Sequence, residues 1–213
     1  MAEIEYKIIL TGDSDSGKTI FFKKLTTESI NEKNISTIGM DKRTLKFNID
    51  IDKNGKKENR NFIITLVETA GQERFRAITQ GYFRGSAGIF ILYNINSRNS
   101  FENVESWIKS IKESIGNNDE SKYAMVLIGN KVYFEEEGKK ESDVKEEEAI
   151  KTCEKYDMIW GGEIDLKDMD CNILNERIKD ILKEIYRRVG ERKSEVPKNK
   201  IIYKKERKNC ICF

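Results

Sequence analysis

The run Gly12-Asp13-Ser14-Asp15-Ser16-Gly17-Lys18-Thr19 satisfies the spacing G-x-x-x-x-G-K-[ST]. Two glycines at that separation let main-chain N–H groups of residues 14–19 curl around phosphate oxygens, while a lysine neutralises their charge and a following hydroxyl offers a ligand to Mg²⁺. A helix beginning at the lysine adds the positive end of its dipole. The candidate nucleotide ligands are therefore Ser14, Asp15, Ser16, Gly17, Lys18 and Thr19. A carboxylate turned toward phosphate would repel it, so Asp15 is expected to face solvent and Ser14 the nucleotide. A bare turn with a solvated lysine would show the same eight residues, so the flanking elements decide between the two readings.

Those elements favour the chemistry. Tyr6–Leu10 is a short β-prone run ending at Thr11-Gly12, and Thr19–Leu25 resumes with helical spacing, which gives strand, loop, helix. Thr44–Ile51 alternates apolar and polar residues, Asn54-Gly55 supplies a turn, and Asn61–Val67 returns, the pattern of an antiparallel hairpin. Gly88–Tyr93 and Ala124–Ile128 are continuous apolar runs of the kind buried on both faces of a parallel sheet. Between them Val104, Trp107, Ile108, Ile111 and Ile115 mark one face of a helix. A gently amphipathic segment from Ser142 to Tyr156, a weaker strand Met158–Trp160 and a helix from Asn172 to Arg188 complete the alternation. Strands alternating with helices imply a mostly parallel sheet covered on both faces.

Composition narrows the function classes. At 213 residues with 38% apolar content the chain fills one domain plus tails. With no histidine, every mechanism that needs an imidazole base or ligand is excluded. Lys+Arg 39 against Asp+Glu 37 leaves no global field, so nucleic acid is not expected as a partner. The longest apolar stretch, around Gly88–Tyr93, is far short of the ~20 residues of a spanning helix. A strand-like run from Tyr6 leaves no room for a signal peptide, which points to a reducing compartment, and Cys153, Cys171, Cys210 and Cys212 lack metal-ligand spacing.

Further along, Glu68-Thr69-Ala70-Gly71-Gln72-Glu73-Arg74-Phe75 resembles the DTAGQERF switch segment of Rab GTPases in the Ras superfamily. The resemblance continues through Ser36-Thr37-Ile38-Gly39-Met40-Asp41, Tyr82-Phe83-Arg84-Gly85-Ser86, Ser100-Phe101-Glu102-Asn103-Val104 and Gly129-Asn130-Lys131, and covers roughly residues 6–188 in order. It implies an α/β, P-loop NTPase fold: a six-stranded, mostly parallel sheet with one antiparallel hairpin strand and helices on both faces. It also implies a membrane-anchored GTP/GDP switch in vesicle trafficking that hydrolyses GTP slowly. By resemblance, Thr37 joins Thr19 on Mg²⁺ and senses the γ-phosphate together with Gly71, and Gln72 orients the attacking water. Ile38, Gly39, Met40, Arg74 and Phe75 fall in the effector and switch surfaces. The loops Ile30–Asp41 and Gly71–Gly81 order with triphosphate and loosen with diphosphate. Implied partners are effectors, an exchange factor, a GTPase-activating protein and a prenyl-binding chaperone.

The guanine side departs from the family pattern. The family reads guanine with N-K-x-D, whereas this chain has Asn130-Lys131-Val132-Tyr133 and so lacks the carboxylate that accepts two hydrogen bonds from the base. At about 1.5–3 kcal/mol per charge-assisted bond, that loss weakens GTP binding by orders of magnitude unless Glu135, Glu136 or Glu137 substitutes. Ile30 stands where the family packs an aromatic on guanine, and the ETSAK loop reads Glu163-Ile164-Asp165-Leu166-Lys167. There Asp165 or Leu166 is left to supply a main-chain N–H to the base. Glu68 replaces the usual aspartate of the Mg²⁺ link.

Cys210-Ile211-Cys212-Phe213 fits a C-a-a-X box with Phe at X, which favours a geranylgeranyl lipid on Cys210; the ending also resembles paired-cysteine Rab tails, in which Cys212 is modified too. Lys198, Lys200, Lys204, Lys205, Arg207 and Lys208 supply a second, basic membrane signal. The expected organisation is a switch domain over 1–190 and a flexible basic tail over 191–213, cytoplasmic and peripheral on endomembranes. Lys53–Arg60 reads as a lengthened hairpin loop, most simply a tolerated surface insertion. The rival from another class is a non-hydrolysing, Rab-like scaffold with relaxed nucleotide preference, motivated by Ile30 and Tyr133.

Overall fold

The computed structural model describes residues 3–26, 40–53, 55–69, 81–116, 123–132 and 142–191. In chain order the elements are β1 (Ile4–Thr11), α1 (Lys18–Thr26), β2 (Met40–Lys53), β3 (Lys56–Thr69), β4 (Gly88–Asn94), α2 (Arg98–Ile115), β5 (Ala124–Asn130), α3 (Glu146–Tyr156), β6 (Ile159–Ile164) and α4 (Cys171–Val189). The six strands form one sheet in the order β2-β3-β1-β4-β5-β6. Only β2 runs antiparallel, paired with β3; the other neighbours are parallel. This is the expected architecture.

Burial explains the sequence patterns. Every residue of β4 and β5 is buried, which is why both read as uninterrupted apolar runs. Side chains of β1 alternate between two cores. Ile4, Tyr6, Ile8 and Leu10 face α1 and α4, where Phe21, Leu25, Leu174, Ile178 and Leu182 meet them. Ile9 faces the opposite side with Ile89, Ile91 and Tyr93, against Val104, Trp107, Ile108 and Ile111 of α2 and Ala149 and Cys153 of α3. Helices thus cover both faces.

The helix ends follow local chemistry. Ser97 caps α2 by accepting from the Ser100 N–H, and the Asp170 side chain accepts the Asn172 N–H at 2.7 Å to start α4. Gly190, at φ 78°, closes α4 with its N–H on the Tyr186 carbonyl at 2.8 Å.

The hairpin differs from the sequence expectation. Residues 56–60 do not lengthen the loop but belong to β3. Pairing runs from Met40↔Thr69 to Lys53↔Lys56, so both strands are 14 residues long, and Gly55 lies in the turn between them. Gly55, at φ 75°, supplies the left-handed conformation of such a tight turn, and its N–H donates to Asp52 Oδ1 at 2.9 Å. Cross-strand bonds Asn48–Asn61 (2.9 Å) and Asn59–Asp50 (2.6 Å) lock the register. Residues 56–60 carry polar side chains and none is buried, yet they continue the ladder opposite Ile49 and Ile51, which are buried on β2, and a ladder satisfies main-chain groups that a loop would leave to water. Arg60, on this ribbon, reaches Glu191 at 3.2 Å just past α4.

Candidate functional site

In an open α/β sheet the natural binding crevice lies beyond the carboxyl ends of the strands, where the connections diverge to opposite sides. Here that point falls between β1, whose chain continues to β2 and β3 on one side, and β4, whose chain continues to β5 and β6 on the other. The loop that leaves β1 there is Gly12–Gly17. Gly12 has φ 131°, and a β-carbon on it would lie 2.1 Å from the Leu92 carbonyl oxygen, so only glycine lets the loop lie on β4. Ser14–Ser16 forms one 3-10 turn, Gly17 turns left-handed at φ 82°, and α1 starts at Lys18.

Lys18 is only 3% exposed. Its Nζ donates to the Asp13 carbonyl at 2.5 Å and to Ser16 Oγ at 3.4 Å, which folds the ammonium back across the loop mouth. A cation held there, at a helix start, is arranged for an anionic ligand. Ser14 and Asp15 are exposed, Asp15 as expected, whereas Ser16 is fully buried with its hydroxyl on the Asp13 carbonyl at 2.9 Å.

Thr19 donates its hydroxyl to Glu68 Oε1 at the end of β3. Glu68 is 5% exposed, and burial pushes its carboxyl above the usual range, opposed by the Thr19 hydrogen bond and the Lys18 charge. A buried carboxylate beside a hydroxyl is an oxygen donor set suited to a hard cation, and a divalent charge would relieve that desolvation. The residues therefore fit Mg²⁺. The longer glutamate spans to Thr19 directly.

On the other flank, β5 and β6 end together at Asn130↔Ile164, and Lys131 N–H donates to the Ile164 carbonyl at 2.8 Å. Asn130 is 1% exposed; its Nδ2 donates to the Ser16 carbonyl at 3.0 Å, which ties the base-side strand to the phosphate loop. Its Oδ1 is buried without a hydrogen-bond partner. A β-carbon on Gly17 would sit 2.0 Å from Asn130 Nδ2, so this joint also requires glycine. Asp165 Oδ1 accepts from the N–H groups of Lys167 (3.1 Å) and Asp168 (3.4 Å), which builds a tight turn after β6. Leu166 is buried, and its carbonyl accepts Lys24 Nζ of α1 at 2.6 Å.

The structure thus gathers Ser16, Gly17, Lys18 and Asn130 into one hydrogen-bonded unit, pairs Thr19 with Glu68, and sets Asp165 and Leu166 directly after the strand that neighbours Lys131. Met40 opens β2 opposite Thr69. Thr37, Ile38, Gly39, Gly71, Gln72, Arg74, Phe75, Cys210 and Cys212 lie outside the described residues, as do Ile30 and Tyr133. Sequence reasoning passed over Asp13. Its carboxylate accepts from Asn103 Nδ2 at 2.7 Å and Trp107 Nε1 at 2.8 Å, both on α2. The available signal was the i, i+4 spacing of two donors, Asn103 and Trp107, on one helix face.

Strand, glycine-bounded loop and lysine-led helix at the divergence point of a parallel sheet define a P-loop nucleotide-binding domain. The sequence model of the Ras family matches residues 7–189. Rab-13 of Canis lupus familiaris is 40% identical over 152 residues, 71% of this chain and 66% of that protein. Rab-11C of Dictyostelium discoideum is 32% identical over 90% of this chain and 77% of its own length. The GTP-binding protein ypt3 of Schizosaccharomyces pombe is 32% identical over 89% and 80%. The chain belongs to the Ras family, among the Rab-type small GTPases. The match spans just under two thirds of the canine protein.

Proposed function

We propose that the chain is a GTP/GDP switch of vesicle trafficking that binds and slowly hydrolyses GTP and is held on a membrane by its C-terminal tail. The observation that carries this reading is the buried Lys18 folded across a glycine-bounded loop at the sheet's divergence point, braced by Asn130 and flanked by Thr19–Glu68. Residues 14–19 grip the polyphosphate, with Lys18 cancelling charge. Thr19 and Thr37 would hold Mg²⁺, with Glu68 hydrogen-bonded to Thr19, and the cation would neutralise charge on the phosphates. Gln72 orients the attacking water, and Thr37 and Gly71 report the γ-phosphate through their loops. Ile38, Gly39, Met40, Arg74 and Phe75 then present the triphosphate state to effectors. Asn130, Lys131 and the main chain at Asp165 or Leu166 hold the base.

Residues 1–190 form the switch and 191–213 the anchor, with geranylgeranyl lipid on Cys210 and Cys212 reinforced by basic residues. No helix among the described residues is long and apolar enough to cross a membrane. A lipid tail supplies membrane attachment without one.

The test is to denature freshly purified protein and identify what is released. Stoichiometric GDP or GTP is the expected result; an empty site or bound ATP would sink the reading. One observation favours a second reading, a scaffold with relaxed nucleotide preference: Tyr133 stands where the base-reading carboxylate belongs. Mixed purine nucleotides in the released fraction would support it.

A further inference from the structure

Asp13 occupies an unusual place in the phosphate grip. Its carbonyl oxygen accepts from Lys18 Nζ (2.5 Å), Ser16 Oγ (2.9 Å) and the Ser16 N–H (3.2 Å), so the loop's cation and its buried turn both hang on this residue's main chain. Its carboxylate points the other way, into two donors of α2. Asn103 Nδ2 bonds Oδ2 at 2.7 Å, and the Trp107 indole N–H bonds Oδ1 at 2.8 Å. Each carboxylate oxygen thus has a neutral donor from a helix on the opposite face of the sheet from α1.

A carboxylate in a phosphate loop is a liability. Swung toward a polyphosphate it would repel the ligand and compete for Lys18. Hydrogen bonds to a charged acceptor are the stronger kind, and two of them at fixed spacing leave the carboxylate one orientation. Trp107 is 3% exposed and packed in the core beneath α2, so its N–H is a rigid donor. Fixing the side chain fixes the carbonyl that Lys18 and Ser16 share, which preorganises the grip before nucleotide arrives.

We propose that Asn103 and Trp107 are positioning residues for nucleotide binding: through Asp13 they hold the phosphate loop in its gripping conformation. This rests on the nucleotide-binding reading above.

The experiment uses the full chain loaded with a fluorescent GDP analogue and chased with excess GDP. Trp107→Phe keeps an aromatic ring in the core but loses the indole N–H and some volume, and Asn103 lies on a half-exposed helix face, so both variants are expected to fold. Each should speed analogue release roughly five- to tenfold, and the pair more than either alone. Asp13→Ala, which removes the acceptor, should make release insensitive to Trp107→Phe; a purely structural role for the tryptophan would leave its effect intact. Release rates within twofold of wild type, or a Trp107→Phe effect undiminished in the Asp13→Ala background, would overturn the proposal. A wild-type chain that takes up no guanine nucleotide would instead overturn the functional reading and the proposal with it.

Discussion

Gly17→Ala tests whether the base-side strand and the phosphate loop form one unit. The new methyl would lie 2.0 Å from Asn130 Nδ2 and 3.3 Å from its Cγ, at a residue whose φ is 82°. Left-handed backbone costs a residue with a β-carbon about 1–2 kcal/mol. Displacing the Asn130 amide also breaks its bond to the Ser16 carbonyl, a buried pair worth about 1–3 kcal/mol when one partner is left unsatisfied. The total is roughly 2–5 kcal/mol. In a domain of this size that lowers Tm by roughly 5–15 °C. Urea unfolding of nucleotide-stripped protein removes ligand linkage from the measurement. Asn130→Ala serves as the second arm of a double-mutant cycle, because without the amide Gly17→Ala should cost only the backbone share. A coupling of about 1–3 kcal/mol is expected. An identical cost in both backgrounds would refute the contact.

Three further outcomes follow from the same geometry and sequence. Tyr133→Asp should tighten GDP at least tenfold by equilibrium titration, since ~1.4 kcal/mol suffices for that factor; no change would mean another group reads the base. Ile111→Ala removes a fully buried side chain between α2 and the sheet and should lower unfolding free energy by about 2–5 kcal/mol in urea titrations, whereas a loss below 1 kcal/mol would contradict its burial. Burial pushes the Cys153 thiol up to about 12, so almost none is thiolate at pH 8; peptide mapping after brief maleimide treatment of native protein should find Cys153 unmodified, and rapid labelling would contradict its packing.

How much was legible in the sequence differs by element. β4 and β5 could be read because strands buried on both faces leave no polar residue to interrupt the run. The helices α2 and α4 could be read because each buries one stripe at 3.6-residue spacing. Gly12, Gly17, Lys18 and Thr19 identified themselves because backbone approach to phosphate restricts residue type at fixed separations. The length of the hairpin is not legible, since the unbroken run of polar residues 56–60 at the tip of β3 looks the same as a polar loop. Only cross-strand partners such as Asp50 and Asn59 separate the two.

The sequence alone thus determined the alternation of strand and helix, the loop that can hold phosphate and the family, because these depend on local spacing and residue type. Only the tertiary structure decided that Asn130 braces Ser16, that Thr19 meets Glu68, and that Asp13 is clamped by Asn103 and Trp107. Those contacts join residues about 50 to 114 positions apart, and no local pattern encodes which polar groups a folded sheet brings within hydrogen-bond reach.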